Sequence, residues 1–260
     1  MHIAIAGSGS AGLCCAHTLL DSGVSADQVT LIDARAEIGS PAHKPGLLNH
    51  GDVWQPRLSS WGLTDQAYLH PTSSNSIGLR REWLEKSLAI GAAERGAHLF
   101  VKTRIFSTES LDSRCRLICS DVGGLEGGMW EGDLVVNALG RPPAALAKDT
   151  DHTVLTSLLE YNLISIEESN IPIECSWSGN ITSEHLETTS EARSFKRGDG
   201  TWETWHQGSR RALDRESSLE EFSGTFSEFE SACVDASLTR GVALAQAALE
   251  RLWVKGNAKG

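Results

Sequence analysis

Three glycines and an acid carry the first legible chemistry in this chain. Gly7-Ser8-Gly9-Ser10-Ala11-Gly12 is a GxGxxG loop, and Asp33 lies twenty-one residues beyond its last glycine. Gly7 permits a tight turn, Gly9 lets a pyrophosphate approach the backbone, and Gly12 lets a helix pack close to a sheet. The N–H groups at a helix start have no partner within the helix and attract phosphate. Asp33 is placed to accept hydrogen bonds from both hydroxyls of an adenine-side ribose. Its charge argues against a 2′-phosphate there, because like charges would meet.

These residues act together only if the surrounding elements position them. Residues 2–6 (HIAIA) form an apolar run of strand length that feeds into the loop. Residues 13–20 follow with apolar side chains at helical spacing, and 29–32 (VTLI) form a second apolar run ending at Asp33. Strand, glycine turn, helix, strand and acid make the dinucleotide-binding fingerprint.

Composition narrows the function classes. The chain has 260 residues, enough for one large domain or two intimate ones. With 23 basic and 34 acidic residues its formal charge is −11, which disfavours nucleic acid or an anionic membrane as main partner. No apolar run approaches the roughly 20 residues of a membrane span. The apolar N-terminus lacks the basic region of a signal peptide, so a cytoplasmic location is expected. The six cysteines form no CxxC pair, which predicts reduced thiols and no metal site.

Residues 79–95 read as a helix with Leu84, Leu88 and Ala92 on one face, and 98–102 as the third parallel strand. Segments 104–108 and 114–120 suit antiparallel arms, and 133–137 (DLVVN) a buried strand running into a small-residue turn at Ala138-Leu139-Gly140. Later, 171–178, 185–189, 192–196 and 201–207 are candidate short strands, with a hairpin turn at 197–200. Serine and glutamate enrich 216–230, which predicts a loop or exposed helix. Residues 238–254 carry an apolar face at Leu238, Val242, Ala245, Leu249 and Leu252, with Ser237 as the expected N-cap. The expected fold class is α/β: a Rossmann-like parallel sheet with flanking helices plus a small antiparallel β region. The expected division is 1–150 with 233–260 for the dinucleotide, and 151–232 for a substrate. Eight tryptophans against two tyrosines, three of them (Trp177, Trp202, Trp205) in candidate strands, suit either a core or an apolar wall.

The order of motifs resembles the FAD-dependent oxidoreductases of the p-hydroxybenzoate hydroxylase and geranylgeranyl reductase group. Four segments carry the resemblance: IAIAGSGSAGLCCAHTL with VTLIDAR, EIGSPAHKPGLL (37–48), IGLRREWLEKSLAIGAAERGAHLF (77–100) and GDLVVNALGRPP (132–143). The resemblance implies FAD bound in extended form. Gly7, Ser8, Gly9, Ser10, Ala11 and Gly12 would line the pyrophosphate, Asp33 the ribose, and Ala34 and Arg35 the adenine side. Arg80 or Arg81 would match the family arginine that reaches the cofactor, and Ala138 and Gly140 would lie near the adenosine. His43 and Lys44 fall in the loop that passes the flavin, and Thr239 would lie at its pyrimidine edge. The group's later Gly-Asp motif has no counterpart just before the last helix; the late Gly198-Asp199 pair sits in the hairpin signal.

The implied function is an FAD-dependent oxidoreductase, a reductase or monooxygenase, acting on a small apolar or aromatic substrate, with NAD(P)H as candidate reductant. No catalytic side chain is singled out, because a flavin carries the redox chemistry itself. Two other classes stay open: an NAD(H)-binding dehydrogenase, and a non-catalytic dinucleotide-binding protein.

Overall fold

A computed structural model describes the chain apart from residues 41–42, 66–67, 121–122, 141–151, 156, 159–161, 167–174, 186–190, 209–217 and 258–260. In chain order the elements are β1 (Ile3–Ala6), α1 (Ser10–Asp21), β2 (Val29–Ile32), β3 (Leu47–Leu48), α2 (Gly51–Ser60), β4 (Leu69–Pro71), β5 (Ile77–Leu79), α3 (Arg81–Glu94), β6 (His98–Phe100), β7 (Ile105–Leu111), β8 (Arg114–Cys119), β9 (Met129–Gly132), β10 (Leu134–Asn137), α4 (His152–Leu155), β11 (Leu163–Ile164), β12 (Cys175–Thr182), β13 (Arg193–Lys196), β14 (Trp202–Gln207), β15 (Ser218–Phe226), α5 (Phe229–Ala232) and α6 (Val234–Asn257). They fall into two compact units. The first comprises Met1–Ser40, Glu85–Glu167 and Leu238–Gly260; the second comprises Pro41–Leu84 and Glu168–Ser237.

The first unit is built on a five-stranded sheet of order β11-β10-β1-β2-β6, with every neighbouring pair parallel. β1 and β2 are buried along their whole length, as their unbroken apolar runs require of strands covered on both faces. α1 packs on them, with Leu13, Cys14, Cys15, Ala16 and Leu19 all buried; each buried leucine contributes about 1.5–3 kcal/mol. The chain moves outward from β1 through β2 to β6, then returns to the other side of β1 as β10. The strand order therefore reverses between β1 and β10.

The run around residue 133 serves two sheets. Met129–Gly132 joins β7 and β8 in an antiparallel sheet, while Leu134–Asn137 joins the parallel one. Asp133 is the joint: its Oδ2 accepts from the His2 N–H (2.8 Å) and its own N–H donates to the His2 carbonyl (2.9 Å). Ala4, Ile32, Cys115, Leu117, Trp130, Val135 and Leu155 form one core beneath these sheets.

The second unit holds a four-stranded antiparallel sheet of order β13-β14-β12-β15. The expected hairpin is present: β13 and β14 pair, and the Arg197 N–H closes the turn on the Thr201 carbonyl (2.8 Å). The strand expected at 171–178 lies at Cys175–Thr182, with 171–174 outside the described residues. His185 is not in a strand, and 186–189 are likewise outside them.

The loop or exposed helix expected at 216–230 is corrected to a strand over Ser218–Phe226, followed by the short α5. Among the described residues β15 is an edge strand paired with β12 alone, so its outer face keeps serine and glutamate in water while Phe222 and Phe226 turn inward. Trp177 and Trp205 join Phe195, Phe226 and Phe229 in a core cluster; they are packing residues, with Trp177 stacked on Phe226 at 5.0 Å between centroids. A three-stranded sheet of order β3-β5-β4 completes this unit.

The last helix begins earlier than its apolar face suggests. α6 starts at Val234, so Ser237 lies inside the first turn and is not the N-cap. Its hydroxyl instead accepts from Arg81 Nη2 (2.7 Å).

Candidate functional site

In open α/β sheets, ligands bind beyond the carboxyl ends of the strands where strand order reverses. Here that point lies between β1 and β10, and the glycine loop leaves β1 there. The Ala138 N–H donates to the Ala6 carbonyl (2.9 Å), which continues the pairing into the turn after β10. Gly7 has φ +101°, and a Cβ on it would stand 2.9 Å from the Ala138 carbonyl oxygen. A Cβ on Gly12 would collide with the Gly7 carbonyl. The fold itself demands these two glycines.

Gly9 is different. A Cβ there would meet nothing nearer than Glu85 Oε1 at 3.8 Å and Arg35 Nη2 at 3.9 Å. These are ordinary contact distances, so the packing of the chain does not itself require a glycine here, beside the start of α1. Gly9 is also the N-cap of α1, with no side-chain cap and no acidic residue in the first turn. The Ser8 hydroxyl is buried and has no hydrogen-bond partner.

Asp33 is buried at the tip of β2. Its Oδ2 accepts from the Ser8 N–H (2.7 Å) and from Arg35 Nη2 (2.8 Å). Its Oδ1 accepts from the Arg35 N–H (2.8 Å) and Nε (3.0 Å). Four donors fill a carboxylate, so a ribose hydroxyl would have to replace part of the Arg35 contact. Ala34 sits between them, half-buried.

Sequence reasoning missed two residues. Glu85, one helical turn after Arg81 on α3, accepts from the Ser10 N–H (2.9 Å) and hydroxyl (2.6 Å). Gly241 lets α6 meet α1, because a Cβ there would collide with the Ala11 carbonyl and crowd Cys14. The signals were slight: an Arg-x-x-x-Glu spacing and a glycine inside a helical pattern.

The candidate residues divide between the units. Gly7, Ser8, Gly9, Ser10, Ala11, Gly12, Asp33, Ala34, Arg35, Ala138, Gly140 and Thr239 belong to the first; His43, Lys44 and Arg81 belong to the second. Thr239 is exposed on α6, two residues before Gly241. Arg81 is buried and donates to the carbonyls of Pro45 (3.1 Å) and Ala232 (3.0 Å), besides Ser237. It ties the loop after residue 40 to the junction of α5 and α6. Arg80 pairs with Glu220 (2.8 Å) and lies over Trp83. The His43 ring meets the Ser223 carbonyl at 3.2 Å.

The same loop is held by Glu203, fully buried on β14. Its Oε1 accepts from the Gly46 N–H (3.0 Å) and the Trp205 indole (2.7 Å), and Arg197 Nη1 lies 3.6 Å from Oε2. Burial pushes its carboxyl up to about 7, against the pull of Arg197 and these two donors.

No disulfide joins any of the six cysteines. Burial raises Cys15 strongly and pushes Cys233 up to about 12, so both are poor nucleophiles. Among the described residues no group of side chains could hold a metal, and no helix is long and apolar enough to cross a membrane.

No family model matches the sequence, and no curated protein matches it significantly. Solved structures do match. A geranylgeranyl bacteriochlorophyll reductase-like protein from Thermoplasma acidophilum is 13% identical, with a TM-score of 0.66 over 98% of this chain and 79% of its own. A flavoprotein/dehydrogenase from Cytophaga hutchinsonii is 11% identical, with a TM-score of 0.67 and the same coverage. AlpK is 14% identical, with a TM-score of 0.54 over 86% of this chain; the chain spans 52% of AlpK's length. These likenesses show a shared fold: a parallel sheet with flanking helices, joined to separate antiparallel sheets.

Proposed function

We propose that this chain binds FAD in extended form and is an oxidoreductase of the reductase or monooxygenase type. Its substrate would be a small apolar or aromatic molecule. One observation carries the reading: the glycine loop stands at the strand-order reversal, with Gly9 bare where the chain's own packing does not require it. The donor set fits a dinucleotide. The loop brings the backbone N–H groups of Gly9, Ala11 and Gly12 to the start of α1, that of Ser10 is held by Glu85, and the buried Ser8 hydroxyl needs an acceptor. Asp33 would face the ribose, with Ala34 and Arg35 on the adenine side, Arg35 giving up part of its contact with Asp33. Ala138 and Gly140 would border the adenosine. Thr239 would serve from α6, which Gly241 holds against α1 beside the loop.

Bound flavin would supply the electron transfer. The chain's residues would bind, orient and shield it. In the second unit, His43 and Lys44 would offset negative charge on a reduced ring. Arg81 would act by fixing the loop that carries them, since its guanidinium is held by Pro45, Ala232 and Ser237.

One observation favours a second reading, a dinucleotide-binding protein without turnover. Asp199, in the late Gly-Asp pair, is spent inside the hairpin turn on Thr201 (2.6 Å to its hydroxyl) and Arg197 (2.9 Å). The absorbance of the purified protein decides between cofactors: flavin gives bands near roughly 375 and 450 nm. Bleaching of those bands by NAD(P)H, followed by reoxidation, would separate a working enzyme from a silent binder. A colourless protein that enhances NADH fluorescence would overturn the FAD reading.

A further inference from the structure

A helix start carries partial positive charge and favours an anion. α1 has no acid in its own first turn. The anion comes from α3, seventy-five residues away: Glu85, 6% exposed, whose Oε1 takes both the N–H and the hydroxyl of Ser10. Its Oε2 lies 3.9 Å from Arg35 Nη1. Glu85 Oε1 is also the nearest atom to the open side of Gly9. A carboxylate and a phosphate compete for the same kind of donors, and two anions at one helix start repel.

We propose that Glu85 is an internal anion standing in for the nucleotide's phosphate at α1, displaced when the dinucleotide binds, and therefore the residue that sets affinity. The inference rests on the dinucleotide-binding reading. In the free protein Glu85 satisfies Ser10 and steadies α1. In the bound protein phosphate takes over those donors, and Glu85 must leave them while Arg35 remains near enough to follow either anion. The carboxylate thus trades affinity for order in the empty loop.

The test is calorimetric titration of wild type, Glu85→Gln and Glu85→Ala with FAD and with ADP, alongside thermal unfolding without ligand. Gln keeps the size and an acceptor for Ser10 but removes the charge; Ala removes the anion and its reach. Both variants should bind FAD and ADP at least fivefold more tightly while unfolding at a lower temperature when empty. Opposite movement of affinity and stability is the signature, since a merely structural role would lower both. Wild-type binding with equal or weaker binding by both variants overturns the inference and leaves the dinucleotide reading intact. Absence of binding by all three proteins overturns that reading, and the inference with it.

Discussion

Gly9 differs from Gly7 and Gly12 in what the fold asks of it. Gly7 and Gly12 are enforced by the carbonyls of Ala138 and Gly7, whereas the nearest contacts of a Cβ at Gly9 are side-chain atoms at 3.8 Å and 3.9 Å. Gly9→Val should therefore leave the fold intact and obstruct the dinucleotide. FAD affinity should fall about tenfold to a hundredfold, equivalent to roughly 1.4–2.8 kcal/mol. Titration of the apoprotein with FAD, with circular dichroism as control, checks this; unchanged affinity would mean that the loop is only a turn. Asp33 illustrates a different point. Its residue type and position were legible in the sequence, but its partners were not, because Arg35 competes for the same oxygens that a ribose would use.

At the scale of elements, α6 lies close on α1. Gly241 faces the Ala11 carbonyl and Cys14, so backbone meets backbone with no room for a Cβ. Gly241→Val should destabilise the protein by about 1–3 kcal/mol through overpacking. It should also weaken FAD binding, because the shift falls on the first turn of α1. Urea unfolding and FAD titration of the same variant test both halves; an effect on stability alone would confine α6 to closing the core. β15 shows why composition misled: Ser218–Phe226 is rich in serine and glutamate because one face of an edge strand is wet. The alternation in Phe222-Ser223-Gly224-Thr225-Phe226 was the better signal.

The whole molecule combines two buried titrations of opposite sign, one per unit. His17 in the first unit is held between Arg95 Nη1, 3.1 Å from Nδ1, and the Leu88 carbonyl, 2.9 Å from Nε2. Burial lowers it to about 4. The unfolded chain then takes the proton first as pH falls below about 6.5, so stability drops toward pH 4 by up to about 1.4 kcal/mol per unit. Glu203 in the second unit is raised to about 7. Its folded form holds the proton longer, so its contribution is present below about 4.5 and is lost as pH rises through 7. Between pH 4.5 and 6.5 the two oppose each other. Urea midpoints across that range should rise less steeply with pH in His17→Gln than in wild type, and more steeply in Glu203→Gln. Parallel profiles for all three proteins would contradict both assignments.

The amino-acid sequence by itself determined the elements whose signals are local. The run from β1 through the glycine loop and α1 to β2 was readable because period, glycine spacing and the terminal acid all lie within about thirty residues. The 193–207 hairpin was readable for the same reason. Only the tertiary structure decided what those elements meet. Which glycines the fold needs depends on Ala138, brought beside the loop by β10. The anion at α1 comes from Glu85, and the closing contact comes from Gly241. Arg81, which with Arg80 the resemblance offers as the residue that reaches the cofactor, is anchored by two carbonyls and a hydroxyl from distant segments. Side-chain partners separated by scores of residues follow from which elements become neighbours. That is set by burial of the whole apolar surface and leaves no mark in local spacing.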